Sequence, residues 1–187
     1  MNHKPHEFES EDDQCLAHAR DEAAVRTRNQ SLATAYHESG HAVIALSFGR
    51  PIQKVTICAG RSALGQQRLG VCELQKGRSK GGKNLLDDNI VILFAGMVAE
   101  ARFTGHYCQT GAAEDLRMIR RLLCSRVSSE TQHERLRKRL LARTEHLLGD
   151  EANALAVELV ANELMQKQTI SGRAVRHFFQ QAMQQCS

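Results

Sequence analysis

From Leu32 to Phe48 the apolar side chains of Leu32, Ala35, Tyr36, Val43 and Leu46 recur at helical spacing, and Gly49 with Pro51 supplies a stop. A helix is expected there. Ile52–Cys58 places Val55 and Ile57 at period two, and Ala63–Leu74 forms a second strand-like run, with Ala59-Gly60-Arg61-Ser62 as the turn between them. Lys76–Lys83 has the composition of a loop. Asn84 then caps a helix whose buried stripe is Leu86, Ile90, Leu93, Phe94, Met97 and Ala101, ended by Gly105. Another helix starts near Gly111 and carries Leu116, Ile119, Leu122 and Leu123. The remainder predicts two or three helices, with joints at Ser128–Gln132 and Leu148-Gly149-Asp150 and a Ser171 cap before Val175, Phe178 and Phe179.

This order predicts a mainly α (α+β) fold in which a small two- to three-stranded sheet follows the first helix. Residues 1–28 are rich in His, Glu, Asp and Arg, so they read as a flexible N-terminal arm, partly helical between Asp12 and Arg28. Residues 29–187 read as one domain. The absence of Trp and an aromatic fraction of 4% point to a core of aliphatics and alanine.

A net charge of +4 implies solubility rather than a nucleic-acid role. The basic run Arg135-Leu136-Arg137-Lys138-Arg139 with Arg143 is interleaved with leucines at helical spacing and flanked by Glu134 and Glu145, which fits a solvated helix face. The 6 cysteines form no C-x-x-C pair and read as reduced thiols of a cytoplasmic protein; Cys108 reads as a small buried hydrophobe. The longest apolar run, Ile90–Ala99, is about half of what a membrane span needs, so no membrane partner is expected. Gly77, Gly82 and Lys83 imitate a phosphate-binding loop, but Asn84 replaces the hydroxyl residue that would ligate magnesium.

The chemistry lies in His37-Glu38-Ser39-Gly40-His41. Residues four apart share one helix face, so His37 and His41 point the same way and two imidazole nitrogens converge on one zinc ion without backbone strain. Glu38, about 100° further round, stands beside the metal and can accept a proton from an attacking water. With 9 histidines in 187 residues, chance yields H-E-x-x-H in roughly three of a hundred such chains before helical context is demanded. The pair falls opposite Leu32, Ser39 and Leu46, so it is expected to face a separate cavity flanked by Ile44 and Phe48. A zinc hydrolase needs a third protein ligand. Ile44 and Ser47 exclude the extended pattern with a third nearby His, which leaves Glu100, His106, Glu114, Asp115 and His133 as candidates.

Five segments occur here in the order found in the peptidase domain of FtsH-type AAA+ zinc proteases. They are Tyr36-His37-Glu38-Ser39-Gly40-His41-Ala42-Val43, Lys54-Val55-Thr56-Ile57, Ala63-Leu64-Gly65, Ala95-Gly96-Met97-Val98-Ala99-Glu100 and Thr110-Gly111-Ala112-Ala113-Glu114-Asp115-Leu116. The chain resembles that family over about residues 32–185. The resemblance implies zinc held by His37, His41 and Asp115, with Glu38 as general base and Glu100 orienting a ligand or holding the helix. It also implies that an edge strand around Ala63, Leu64, Gly65 and Gln66 pairs with extended substrate through its backbone. Ser39, Met97 and Glu114 depart from the family's usual Ala, Arg and Asn, and the segment after the Asp115 helix is shorter than the family's long loop.

The expected activity is zinc-dependent hydrolysis of peptide bonds in unfolded or loosely structured polypeptides. The chain reads as a stand-alone domain without the AAA+ module and membrane anchors, so an AAA+ ATPase acting in trans is an expected partner, and a homo-oligomer is the family's habit. The alternative is a degenerate protease domain that works as a protein-binding module.

Overall fold

The computed structural model describes residues 11–61, 67–75 and 85–187. The predicted calls on Ala63, Leu64, Gly65 and Gln66, on the loop Lys76–Lys83 and on the Asn84 cap lie outside them.

Among the described residues six helices accompany a small antiparallel sheet, which contacts α1, α5 and α6, the mainly α arrangement that the periodicity predicts. Helix α1 (Glu11–Ser47) runs unbroken through position 28. Its exposed stretch, 22–30, gives way to nine consecutive buried residues from His37 to Ala45. Gly49, with φ at 69°, terminates it, and Arg50 N–H bonds back to Ala45 O at 2.8 Å. Strand β1 (Ile52–Thr56) follows. The segment expected as a turn contains instead a two-residue strand, β2 (Gly60–Arg61), paired with β3 (Gln67–Arg68). Backbone pairing in this short ribbon overrode the turn-like composition of Ala59–Ser62.

Strand β4 (Val71–Leu74) pairs with β1, with Val55 opposite Cys72. The third strand, β5 (Thr169–Ser171), comes from near the end of the chain and pairs with the other side of β1, giving the order β4-β1-β5. Among the described residues strand β4 is therefore an edge.

Helix α2 (Leu85–Thr104) is central: Ile90, Val91, Ile92 and Phe94 through Glu100 are all buried, more than the single stripe predicted. Helix α1 covers one side of it, α3 (Ala113–Arg126) and α4 (Glu130–Gly149) others, so an apolar surface nearly all round is what this position requires. Helix α5 (Glu151–Lys167) begins at an Asp150 cap, and α6 (Gly172–Gln185) at Ser171, whose Oγ accepts Ala174 N–H at 3.3 Å. Among the described residues no helix is long and apolar enough to cross a membrane.

The basic run on α4 is engaged within the fold. Arg137 and Lys138 pair with Glu134, Arg139 with Asp87 at 3.4 Å, and Arg143 with Asp88 at 3.3 Å while lying over the Phe48 ring. Two of these arginines thus fasten α4 to the acidic first turn of α2.

Candidate active site

Helices α1 and α2 cross antiparallel through small residues. A Cβ added to Gly40 would lie 2.3 Å from Ala95 O and 2.6 Å from Ala99 Cβ, so the two backbones meet at a distance only glycine permits. This closeness sets the histidines. His37 Nδ1 is 2.9 Å from Glu100 Oε2, and His41 Nδ1 is 2.7 Å from the Ile92 carbonyl. Ile92, Gly96 and Glu100 are four apart and lie on one face of α2. Each acceptor can take the Nδ1 proton, so that in neutral imidazoles both Nε2 lone pairs are left to bind a metal.

Asp115 arrives from α3. The turn before it is closed by Ala112 N–H to Cys108 O at 3.2 Å and by Gly111 N–H to Cys108 Sγ at 3.3 Å. Cys108, half-buried, is thus a turn acceptor rather than the buried hydrophobe expected. In the first turn of α3 the Asp115 carboxylate also faces the positive end of the helix dipole. Its Oδ2 lies 3.0 Å from His37 Nε2 and 3.3 Å from His41 Nε2.

These three side chains form a group that could hold a metal ion, one ligand atom from each, all within 4.8 Å of one another. Donors bound tetrahedrally to zinc stand about 3.4 Å apart, so the observed spacings need only small side-chain adjustments. Gly96 supplies the room. A Cβ there would sit 2.5 Å from His41 Nε2 and 2.6 Å from His37 Nε2. The donor set and the space both fit zinc.

Electrostatics agree. Burial opposes a charge on His37, but hydrogen bonds to Asp115 and Glu100 outweigh it and push the imidazole up to about 10. His41 moves up as well: burial opposes this, and Asp115 prevails. Burial alone would raise the Asp115 carboxyl, yet the two histidines hold it well below the usual carboxylate range. The cluster favours positive charge at its centre, which a divalent cation supplies.

Glu38 lines a cleft of about 620 Å³ together with His37, His41, Glu100 and Asp115. The expected flanks are wrong. Ile44 is fully buried in the core and Phe48 packs under Arg143, because α2 crosses α1 on that side. The cleft opens along the other half of α1, over Gln30, Ala33 and Thr34. Of the remaining ligand candidates, Glu114 lines the cleft, whereas His106 is exposed with Nδ1 3.2 Å from Thr104 O, and His133 bonds to Val127 O.

One wall falls within the run Ala63–Leu74, which the sequence reads as a strand without placing its second half at the site. Leu69, Gly70, Val71, Cys72 and Leu74, the edge strand β4 and its approach, line the cleft. Burial first, then the charges of Glu38 and Glu73, push the Cys72 thiol up. A signal existed. Leu69-Gly70 repeats the Leu64-Gly65 pair, and it is followed by the more apolar half of the run.

Comparison with known proteins gives the same direction. The model of peptidase family M41 matches residues 24–130, a span that includes His37, Glu38, His41, Glu100 and Asp115. An ATP-dependent zinc metalloprotease FtsH of Acidobacterium capsulatum is 33% identical over 63% of this chain and 19% of its own length. One from Protochlamydia amoebophila is 37% identical over 53% of the chain and 11% of itself. Another, from Cupriavidus metallidurans, is 30% identical over 90% of the chain and 31% of its own length. The chain therefore spans between a tenth and a third of the curated relatives it matches.

Proposed function

The chain belongs to peptidase family M41, and on that premise we propose that it is a zinc-dependent metalloendopeptidase acting on unfolded or loosely structured polypeptides. The observation that carries this is the convergence of His37, His41 and Asp115 in a cleft also lined by Glu38. Zinc held by those three residues supplies Lewis acidity, polarising a carbonyl and bringing the pKa of water towards neutrality.

The chain's own groups do the rest. Glu38 takes the proton of the attacking water and returns it to the leaving amine. Glu100 and the Ile92 carbonyl hold the imidazoles in the required tautomer. Among the described residues β4 pairs on one side alone and lines the cleft, so an extended substrate adds to it as a further strand, recognised mainly through its backbone. We propose that β4 shares the substrate-pairing role that the sequence resemblance implies for Ala63, Leu64, Gly65 and Gln66. Residues 29–187 are proposed as the peptidase domain, with an AAA+ ATPase in trans delivering folded substrates and a homo-oligomer as the assembly.

Two variants test the assignment. His41→Ala is expected to lose zinc, read by elemental analysis, together with activity. Glu38→Gln is expected to keep one zinc per chain while peptidase turnover falls on the order of 10²- to 10⁴-fold. Retention of zinc in the first or of turnover in the second would overturn it.

A cleft of about 620 Å³ takes an extended segment rather than a folded domain, so the isolated chain is expected to cleave casein slowly and a stably folded protein not at all. Adding ATP should leave the casein rate unchanged; strong stimulation would contradict the proposal. One observation favours a second reading, a protein-binding module without turnover. Only residues 127–129 separate α3 from α4, where the family has a long loop shaping the cleft. Absence of casein cleavage by the zinc-loaded protein would decide for it.

A further inference from the structure

Gly70, at the entry to β4, stands against the general base. A Cβ added to it would lie 2.8 Å from both Cγ and Oε1 of Glu38 and 2.9 Å from Thr34 Cγ2. Its φ is outside the left-handed region, so backbone conformation does not demand a glycine here. What demands it is the pair of side chains Glu38 and Thr34, of which Glu38 is the more flexible.

The identity of the blocking atoms separates this site from the other tight glycines. At Gly40 an added methyl meets the Ala95 backbone. At Gly70 it meets two side chains, and one of them, Glu38, is long and rotatable. A methyl at position 70 therefore displaces Glu38 and presses on the Thr34 methyl, with no backbone atom among its three nearest contacts. The carboxylate is the element that yields.

We infer that Gly70 is a positioning residue: its bare backbone is the wall that seats the Glu38 carboxylate, so the strand that pairs with substrate also sets the place of the base. The inference rests on the proposed peptidase reading. Mechanically, the edge of β4 and the base form one unit. A substrate strand laid on β4 is thereby held at a fixed distance from the group that activates water.

The test is a double-mutant cycle of Gly70→Ala and Glu38→Gln, read in three ways: casein turnover, binding of fluorescein-labelled casein, and thermal melting. In the zinc-loaded protein Gly70→Ala should lower kcat on the order of 10²-fold, with KM within about twofold and the melting temperature close to wild type. In the Glu38→Gln background the same methyl should change neither residual turnover nor casein affinity, since the residue through which Gly70 acts has already lost its function. Equal losses in both backgrounds, weakened casein binding, unchanged kcat or failure of Gly70→Ala to fold would each overturn the inference. If Glu38→Gln itself kept wild-type turnover, the peptidase reading would fall first. Loss in Glu38→Gln with none in Gly70→Ala would remove only the role of Gly70.

Discussion

Replacing Gly96 by alanine is expected to weaken zinc binding severely while the helices remain formed. The new methyl would lie 2.5 Å from His41 Nε2, 2.6 Å from His37 Nε2 and 2.7 Å from His37 Cδ2. It therefore stands among the donor atoms. Neither imidazole can retreat freely, because Glu100 and the Ile92 carbonyl hold their Nδ1 atoms in buried hydrogen bonds. Breaking such a bond leaves a buried partner unsatisfied at a cost of about 1–3 kcal/mol. Alanine itself favours the helix over glycine by about 1 kcal/mol, so α2 has no local reason to unwind. Zinc affinity should fall by at least about 100-fold, by analogy with the loss of supporting groups around metal ligands. Zinc titration beside far-UV circular dichroism checks this: wild-type affinity in the variant would show that the metal does not lie between these nitrogens.

The second large effect is on folding, at Gly172. Here an added Cβ would fall 1.7 Å from Ile52 O and 2.5 Å from Ile52 C. These are backbone atoms of β1, a strand paired on one side to β4 and on the other to β5, so they cannot give way. The start of α6 must move instead. That pulls Ser171 away from Lys54 in the ladder and disturbs the Ser171 cap. Overpacking of side chains alone costs about 1–3 kcal/mol, and a collision with fixed backbone should reach at least about 3 kcal/mol. For a chain of this size that is a drop of roughly 6–12 °C in Tm. Calorimetry of Gly172→Ala measures it, and a melting point within about 2 °C of wild type would contradict the packing described.

The two glycines differ in what they protect. Gly96 leaves space for a ligand, and its loss should be seen in metal content. Gly172 leaves space for a strand, and its loss should be seen in melting temperature. Both are ordinary glycines on the page of the sequence, one inside an apolar helical run and one beside a helix cap.

The helices were legible because their determinants are local. The apolar spacing of Leu32–Leu46, the Gly49 stop, the Gly105 stop and the Ser171 cap act within one or two turns of chain, and each reappears in the structure. The His37–His41 pair was legible for the same reason: one helical turn fixes their common direction wherever the helix is placed. The third ligand was not. Spacing left five candidates open, resemblance selected Asp115, and the packing of α3 brings that carboxylate across 78 positions to within 3.0 Å of His37 Nε2. Strand β5 was missed likewise, since it lies more than a hundred residues from its partner β1 and leaves no periodic trace, and the run Ala63–Leu74, read as a strand, becomes a cleft wall at Leu69–Leu74 only through its packing beside α1. Sequence alone thus determined which way two imidazoles face on their own helix; only the tertiary structure decided what they face. Backbone geometry repeats every few residues, whereas the close crossing of α1 and α2 depends on the absence of side-chain atoms at Gly40 and Gly96, and an absence acts only once another helix is packed against it.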